Sequence, residues 1–145
     1  MEPEERMIMK FIGMLLIGVL TWGGAWPAAA QLAGQNNREV QVLADPILDT
    51  VLKGLNEGEY ELYCQYLDDK MKKVTSPTNF SQVRGNMLKS IGDYESRSYL
   101  GYLVKGKTTV VLWKGRFAKS ADDILIKLVF FQQGDQTKVS GLLLQ

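Results

Sequence analysis

TTVVLWKGRF, residues 108–117, is dense in β-branched and aromatic side chains and reads as a strand. Its neighbours on both sides read the same way. Tyr94 to Val104 is an aromatic-rich strand, separated from it by a turn at Gly106. Ser120 to Asp123 is a polar turn, and Ile124 to Phe131 (ILIKLVFF) is a third strand. Gln132 to Gln136 contains Gly134-Asp135, a hairpin signal, and Thr137 to Leu144 is a fourth strand. Parallel pairs need long crossovers, so four strands with short connections predict an antiparallel meander.

Upstream of Tyr94 the apolar period is helical. Asp45 and Pro46 form a cap-and-first-turn signal, followed by Ile47, Leu48, Val51, Leu52 and Leu55 on one face. Val40 and Leu43 extend that face backwards by a turn, and Gly58 ends the helix. A second helix is expected with Tyr60, Tyr63, Cys64, Leu67, Met71 and Val74 inward. A third opens at Ser76-Pro77, runs through Phe80, Val83, Met87, Leu88 and Ile91, and closes at Gly92. Gly85 inside it suits close packing against a neighbour. Three N-terminal helices on a curved four-stranded antiparallel meander is an α+β fold.

The two faces of the sheet are both apolar. Ile124, Ile126, Leu128 and Phe130 alternate with Leu125, Lys127, Val129 and Phe131. Val110 and Leu112 likewise oppose Val111, Trp113 and Phe117. A half-solvated sheet alternates more cleanly, so the second face predicts a partner, most economically a homodimer.

The N-terminal residues read as an export signal. Phe11 to Trp22 (FIGMLLIGVLTW) is uncharged, follows Lys10, and is shorter than the roughly twenty residues that span a bilayer. Trp26-Pro27 breaks any helix, and Ala28-Ala29-Ala30 supplies the small residues of a cleavage site between Ala30 and Gln31. The front end, MEPEERMIMK, is acidic for such a leader, and a start at Met7 or Met9 would leave a conventional one. No twin arginine precedes the run and no cysteine stands at its exit, so a lipid anchor at a lipobox is excluded. The expected location is periplasmic or secreted. A membrane enters only if the leader is kept as an anchor. The expected organisation is a signal peptide over 1–30, a flexible spacer over 31–43, and one domain over 44–145.

Composition narrows the chemistry. The whole chain has 17 Lys and Arg against 16 Asp and Glu. Removing the leader takes away Arg6, Lys10, Glu2, Glu4 and Glu5, leaving 15 against 13 and a net charge of +2. That balance argues against nucleic acid or an anionic membrane as partner. Cys64 stands alone, so no internal disulfide can form. The chain has no histidine, which removes the commonest general base and the usual zinc ligand.

The order of elements resembles small exported bacterial members of the NTF2-like (cystatin-like) superfamily. The segments that carry the resemblance are LDTVLKGLNEGEYELY (48–63), LDDKMKK (67–73), YESRSYLGY (94–102), VVLWKGRF (110–117) and VSGLLLQ (139–145). It covers roughly residues 44 to 145. It implies a cone-shaped cavity between helices and sheet, and it brings no catalytic motif.

Tyr60, Tyr63, Tyr66, Tyr94, Tyr99 and Tyr102, with Trp113, are either a lining that stacks on a small apolar ligand or a core whose hydroxyls reach the rim. Arg97, Lys114, Arg116 and Lys127 sit on strands. Arg97 shares a face with Glu95 and Tyr99 by alternation, and the four are candidates to meet a carboxylate ligand at the cavity mouth. Asp68-Asp69 and Asp122-Asp123 read as solvated turns rather than cation sites, and Lys70, Lys72 and Lys73 as a helix C-terminus. Cys64 reads as a buried inert thiol. No catalytic residue, metal site or cofactor is expected. The expected function is a non-enzymatic domain that binds a small apolar molecule, a peptide or its own twin. The alternatives are a small isomerase or dehydratase using a tyrosine plus a carboxylate in the same cavity, and an assembly factor acting through the sheet face.

Overall fold

A computed structural model describes residues 36–145, so the leader and its cleavage site lie outside the described residues. Within them a run of helices precedes a curved four-stranded antiparallel sheet, an α+β fold. The helices are α1 (Asn37–Glu57), α2 (Tyr60–Cys64), α3 (Asp69–Val74) and α4 (Pro77–Ser90). The strands are β1 (Tyr94–Lys105), β2 (Thr108–Phe117), β3 (Ile124–Gln133) and β4 (Gln136–Leu144), in spatial order β1-β2-β3-β4.

α1 begins eight residues before the expected Asp45-Pro46 start, so residues 37–43 are helix rather than spacer. Asn36 is the cap. Its side-chain oxygen accepts from the Glu39 amide at 3.0 Å, and its own amide donates to the Glu39 carboxylate at 2.8 Å. The upstream turn is held because Val40 and Ala44 are fully buried, continuing the stripe of Ile47, Leu48, Val51, Leu52 and Leu55. Burying each such aliphatic side chain is worth about 1.5–3 kcal/mol, enough to keep Pro46 inside the helix despite its missing N–H.

Gly58 ends α1 in the left-handed conformation, at φ 76°, as its sequence position predicts. The neighbouring carbonyls are met from α4. Arg84 donates from Nε to the Leu55 carbonyl at 2.7 Å and from Nη2 to that of Asn56 at 2.9 Å. Gly54 allows α2 to approach α1. A Cβ there would lie 2.6 Å from the backbone nitrogen of Tyr63.

The expected second helix is two. Between them Leu67 forms a parallel bridge with Val139 of β4, with Val139 N–H donating to Tyr66 O at 2.7 Å and Asp68 N–H donating to Val139 O at 2.8 Å. Helical backbone cannot make those bonds, and Asp68 restarts the helix by capping Met71 N–H at 2.7 Å. α4 opens at Ser76-Pro77 as predicted, but Val83 is 55% exposed and a Cβ on Gly85 would meet nothing within 4 Å. Gly85 therefore does not serve close packing.

The strands fall where the sequence puts them, and β2 runs over the predicted residues. Val111, Trp113, Ile126, Leu128, Phe130 and Val139 are buried against the helices. On the other face Leu112, Leu125, Val129 and Phe131 are half-buried, and Leu103 and Leu143 are exposed.

Candidate functional site

The expected aromatic set and Arg97 do not form one lining. Tyr60 and Tyr63 sit at the α2 end, where both pack on Phe80 with ring centroids 5.8 and 5.0 Å away. Tyr94, Arg97, Tyr99 and Trp113 meet on the concave face of β1 and β2, and half-buried Tyr102 lies further along it. A bulge between Tyr94 and Ser96 sets this arrangement. It turns Arg97 onto the face of Tyr94, whereas Glu95 is exposed. The expected grouping of Arg97 with Glu95 is thereby corrected.

Trp113 fills the space between α1 and the sheet and has no exposed surface. Tyr99 packs edge-on against it at 6.2 Å, and the Arg97 guanidinium carbon lies 5.9 Å from its ring centroid. The indole needs an acceptor, and Asp45 supplies it. Trp113 Nε1–H donates to Asp45 Oδ1 at 3.1 Å. Arg97 Nη2 donates to the same oxygen at 3.1 Å, and Gln41 donates to Oδ2 at 3.1 Å. Arg97 Nη1 reaches Asp49 at 2.6 Å and the Tyr94 hydroxyl at 3.0 Å. Partial burial works against the guanidinium charge, but the bonds to Asp49, Tyr94 and Asp45 more than offset it. Its pKa is pushed above the ordinary arginine range. Arg97 is thus occupied by the protein's own carboxylates rather than presented at a cavity mouth. Asp45, expected as a helix cap, is the residue that sequence reading missed.

The remaining charged candidates serve local structure. Asp123 pairs with Arg116 at 3.3 Å and Lys114 at 3.6 Å, all about half exposed, so these pairs contribute little. Lys72 and Lys73 lie in the last turn of α3. Cys64 is buried. Burial pushes its thiol pKa up, and the neighbouring Tyr60 hydroxyl offsets part of that.

Open space lies elsewhere. An apolar cleft of about 310 Å³ runs between α4 and the end of β4. Leu55 and Tyr63 line it together with Val83 and Met87 of α4, Ile91 at its C-terminal cap, and Leu142 of β4. Asn86 and Ser90 are its polar groups. A more polar groove of about 540 Å³ lies between α1 at Val42 and Pro46, Asp135 of the β3-β4 turn and Lys138 of β4, beside Tyr66. Of the expected aromatic set, Tyr63 lines the cleft and Tyr66 the groove, and the others line neither.

No family model matches the chain, and no curated protein matches it. Among solved structures it is similar to that of Bdellovibrio bacteriovorus Bd1075, with a TM-score of 0.48 and 14% identity. The match covers 74% of this chain and 40% of that one. No described helix is long and apolar enough to cross a membrane.

Proposed function

We propose that this chain is an exported, non-enzymatic binding domain of the NTF2-like kind, holding a small apolar molecule or peptide in the cleft under α4. The observation that carries the reading is the contrast between the two spaces. Trp113, Leu48, Leu52 and Phe130 fill the interior between α1 and the sheet, and the Asp45 carboxylate there is engaged by Trp113, Arg97 and Gln41. An isomerase of the tyrosine-and-carboxylate kind needs those groups free to face a substrate. The cleft under α4, by contrast, is open and apolar with a few polar groups, the usual make-up of a ligand site. Native mass spectrometry of the full chain released from its host envelope tests this. A bound mass that disappears in Val83→Glu is expected. A chain free of adducts across lipid, metabolite and peptide fractions would count against it.

The uncovered sheet face favours a second reading, self-association. Leu103, Leu112, Val129 and Leu143 place an apolar surface there, and a second copy would cover it. Sedimentation as a monomer at high micromolar concentration would rule that out.

A further inference from the structure

We propose that the edge of β4 at Leu142 and Leu144 binds an extended peptide by strand addition, with alternate apolar side chains entering the cleft under α4. The proposal rests on the cleft being a binding site and names its ligand as polypeptide.

The phase of the β3-β4 ladder carries the argument. Gln145 and Leu125 exchange both backbone hydrogen bonds, at 3.0 and 2.6 Å. In an antiparallel ladder such pairs recur at every second residue. The register opposes Leu143 to Lys127 and Gly141 to Val129, so those two share the phase of Gln145. Leu142 and Leu144 therefore turn their N–H and C=O groups away from β3, and no backbone partner meets them among the described residues.

This edge already takes an extended segment. A register shift between Val129 and Phe130 turns Val139 outward as well, and the chain's own Tyr66–Asp68 stretch lies along it in parallel. Both Val139 backbone groups are satisfied there, at 2.7 and 2.8 Å. That segment then leaves the edge because Asp68 caps α3. Further along β4, the four backbone groups of Leu142 and Leu144 continue the edge with no backbone bonded to it among the described residues. Side chains of an added strand alternate between faces, so every second one would enter the space bounded by Val83, Met87 and Ile91. The opposite edge is less suited. β1 carries two register shifts and ends on Lys105, features that blunt an edge.

The test uses the full chain, labelled with nitrogen-15, and the peptide acetyl-Lys-Val-Thr-Val-Thr-Val-Lys-amide. At saturation, amide exchange at Leu142 and Leu144 is expected to slow at least about tenfold, while Leu143 and Gly141 stay unchanged. A version N-methylated at alternate residues keeps the side chains but loses the donors on one edge, and is expected to bind at least about tenfold more weakly. Absence of protection at millimolar peptide overturns the proposal, as does equal binding of the N-methylated peptide. So does protection of the same amides without peptide that grows with protein concentration, which would place a second copy on the edge. Anilinonaphthalene sulfonate separates the two levels. If the dye binds the chain but not Val83→Glu while the peptide fails, the cleft reading survives and strand addition falls. If dye and peptide both fail, both fall.

Discussion

The indole N–H of Trp113 donates to Oδ1 of Asp45 across 3.1 Å, tying the centre of the sheet to the middle of α1. Arg97 shares that oxygen, and its side chain is only 13% exposed. Asp45→Ala leaves a buried indole donor and a largely buried guanidinium short of an acceptor. It should cost about 2 kcal/mol in urea unfolding. Asp49 is 62% exposed, and Asp49→Ala should cost about 0.5 kcal/mol. Equal losses would mean that the network does not centre on Asp45.

Gly54 faces Tyr63 across the α1-α2 contact, where a Cβ would come within 2.6 Å of backbone. Backbone cannot swing aside as a side chain can. Gly54→Ala should lower stability by about 2 kcal/mol, although alanine is the better helix former. A stabilised variant in thermal melts would show that α2 yields freely.

Pro46 acts in the opposite direction. It sits within α1 and leaves the helix one bond short. Pro46→Ala should raise stability by about 1 kcal/mol and slow amide exchange across the first half of α1. Loss of stability would show that Asp45 depends on Pro46 for its reach to Trp113.

Cys64 and Tyr63 link the fold to pH. Burial pushes both pKa values up, so the folded chain holds these protons more tightly than the unfolded chain. Their contribution is fully present below the unfolded pKa values and is lost as pH rises through the folded ones. Urea midpoints should therefore fall between about pH 7 and about pH 10.5. Iodoacetamide at about pH 8 should label Cys64 far more slowly in the folded chain than in urea. Equal rates would place the thiol at the surface.

Much of this architecture could be read from local pattern. Strand alternation and the turns at Gly106 and Gly134 place the four strands to within two residues of their observed ends. Ser76-Pro77 and Gly58 bound their helices as their chemistry predicts. Partners distant in sequence account for most of the rest. Asp45-Pro46 has the form of a helix start, and its actual role depends on Trp113 and Arg97, both on later strands. The buried period through Val40 and Ala44 was the available sign that α1 begins earlier. Leu67 keeps the helical period of its neighbours but is drawn into a bridge with Val139. Arg97 changes face because of a bulge, which counting by twos cannot register. The aromatic set was visible as composition, but its division between the Phe80 end and the Trp113 end was not.

The meander order also has a consequence for assembly during synthesis. Each strand ladder joins consecutive strands through a short turn, so the sheet can close by local steps. Among the described elements α1 is made first, yet its polar anchor at Trp113 lies 68 residues downstream of Asp45. Its apolar stripe has no sheet to cover it until β2 and β3 have emerged, so α1 emerges before them but is among the last to dock. Pulsed hydrogen exchange during refolding should find β2 and β3 amides protected before those of α1. A nascent chain that stops short of β3 should expose that stripe to chaperones.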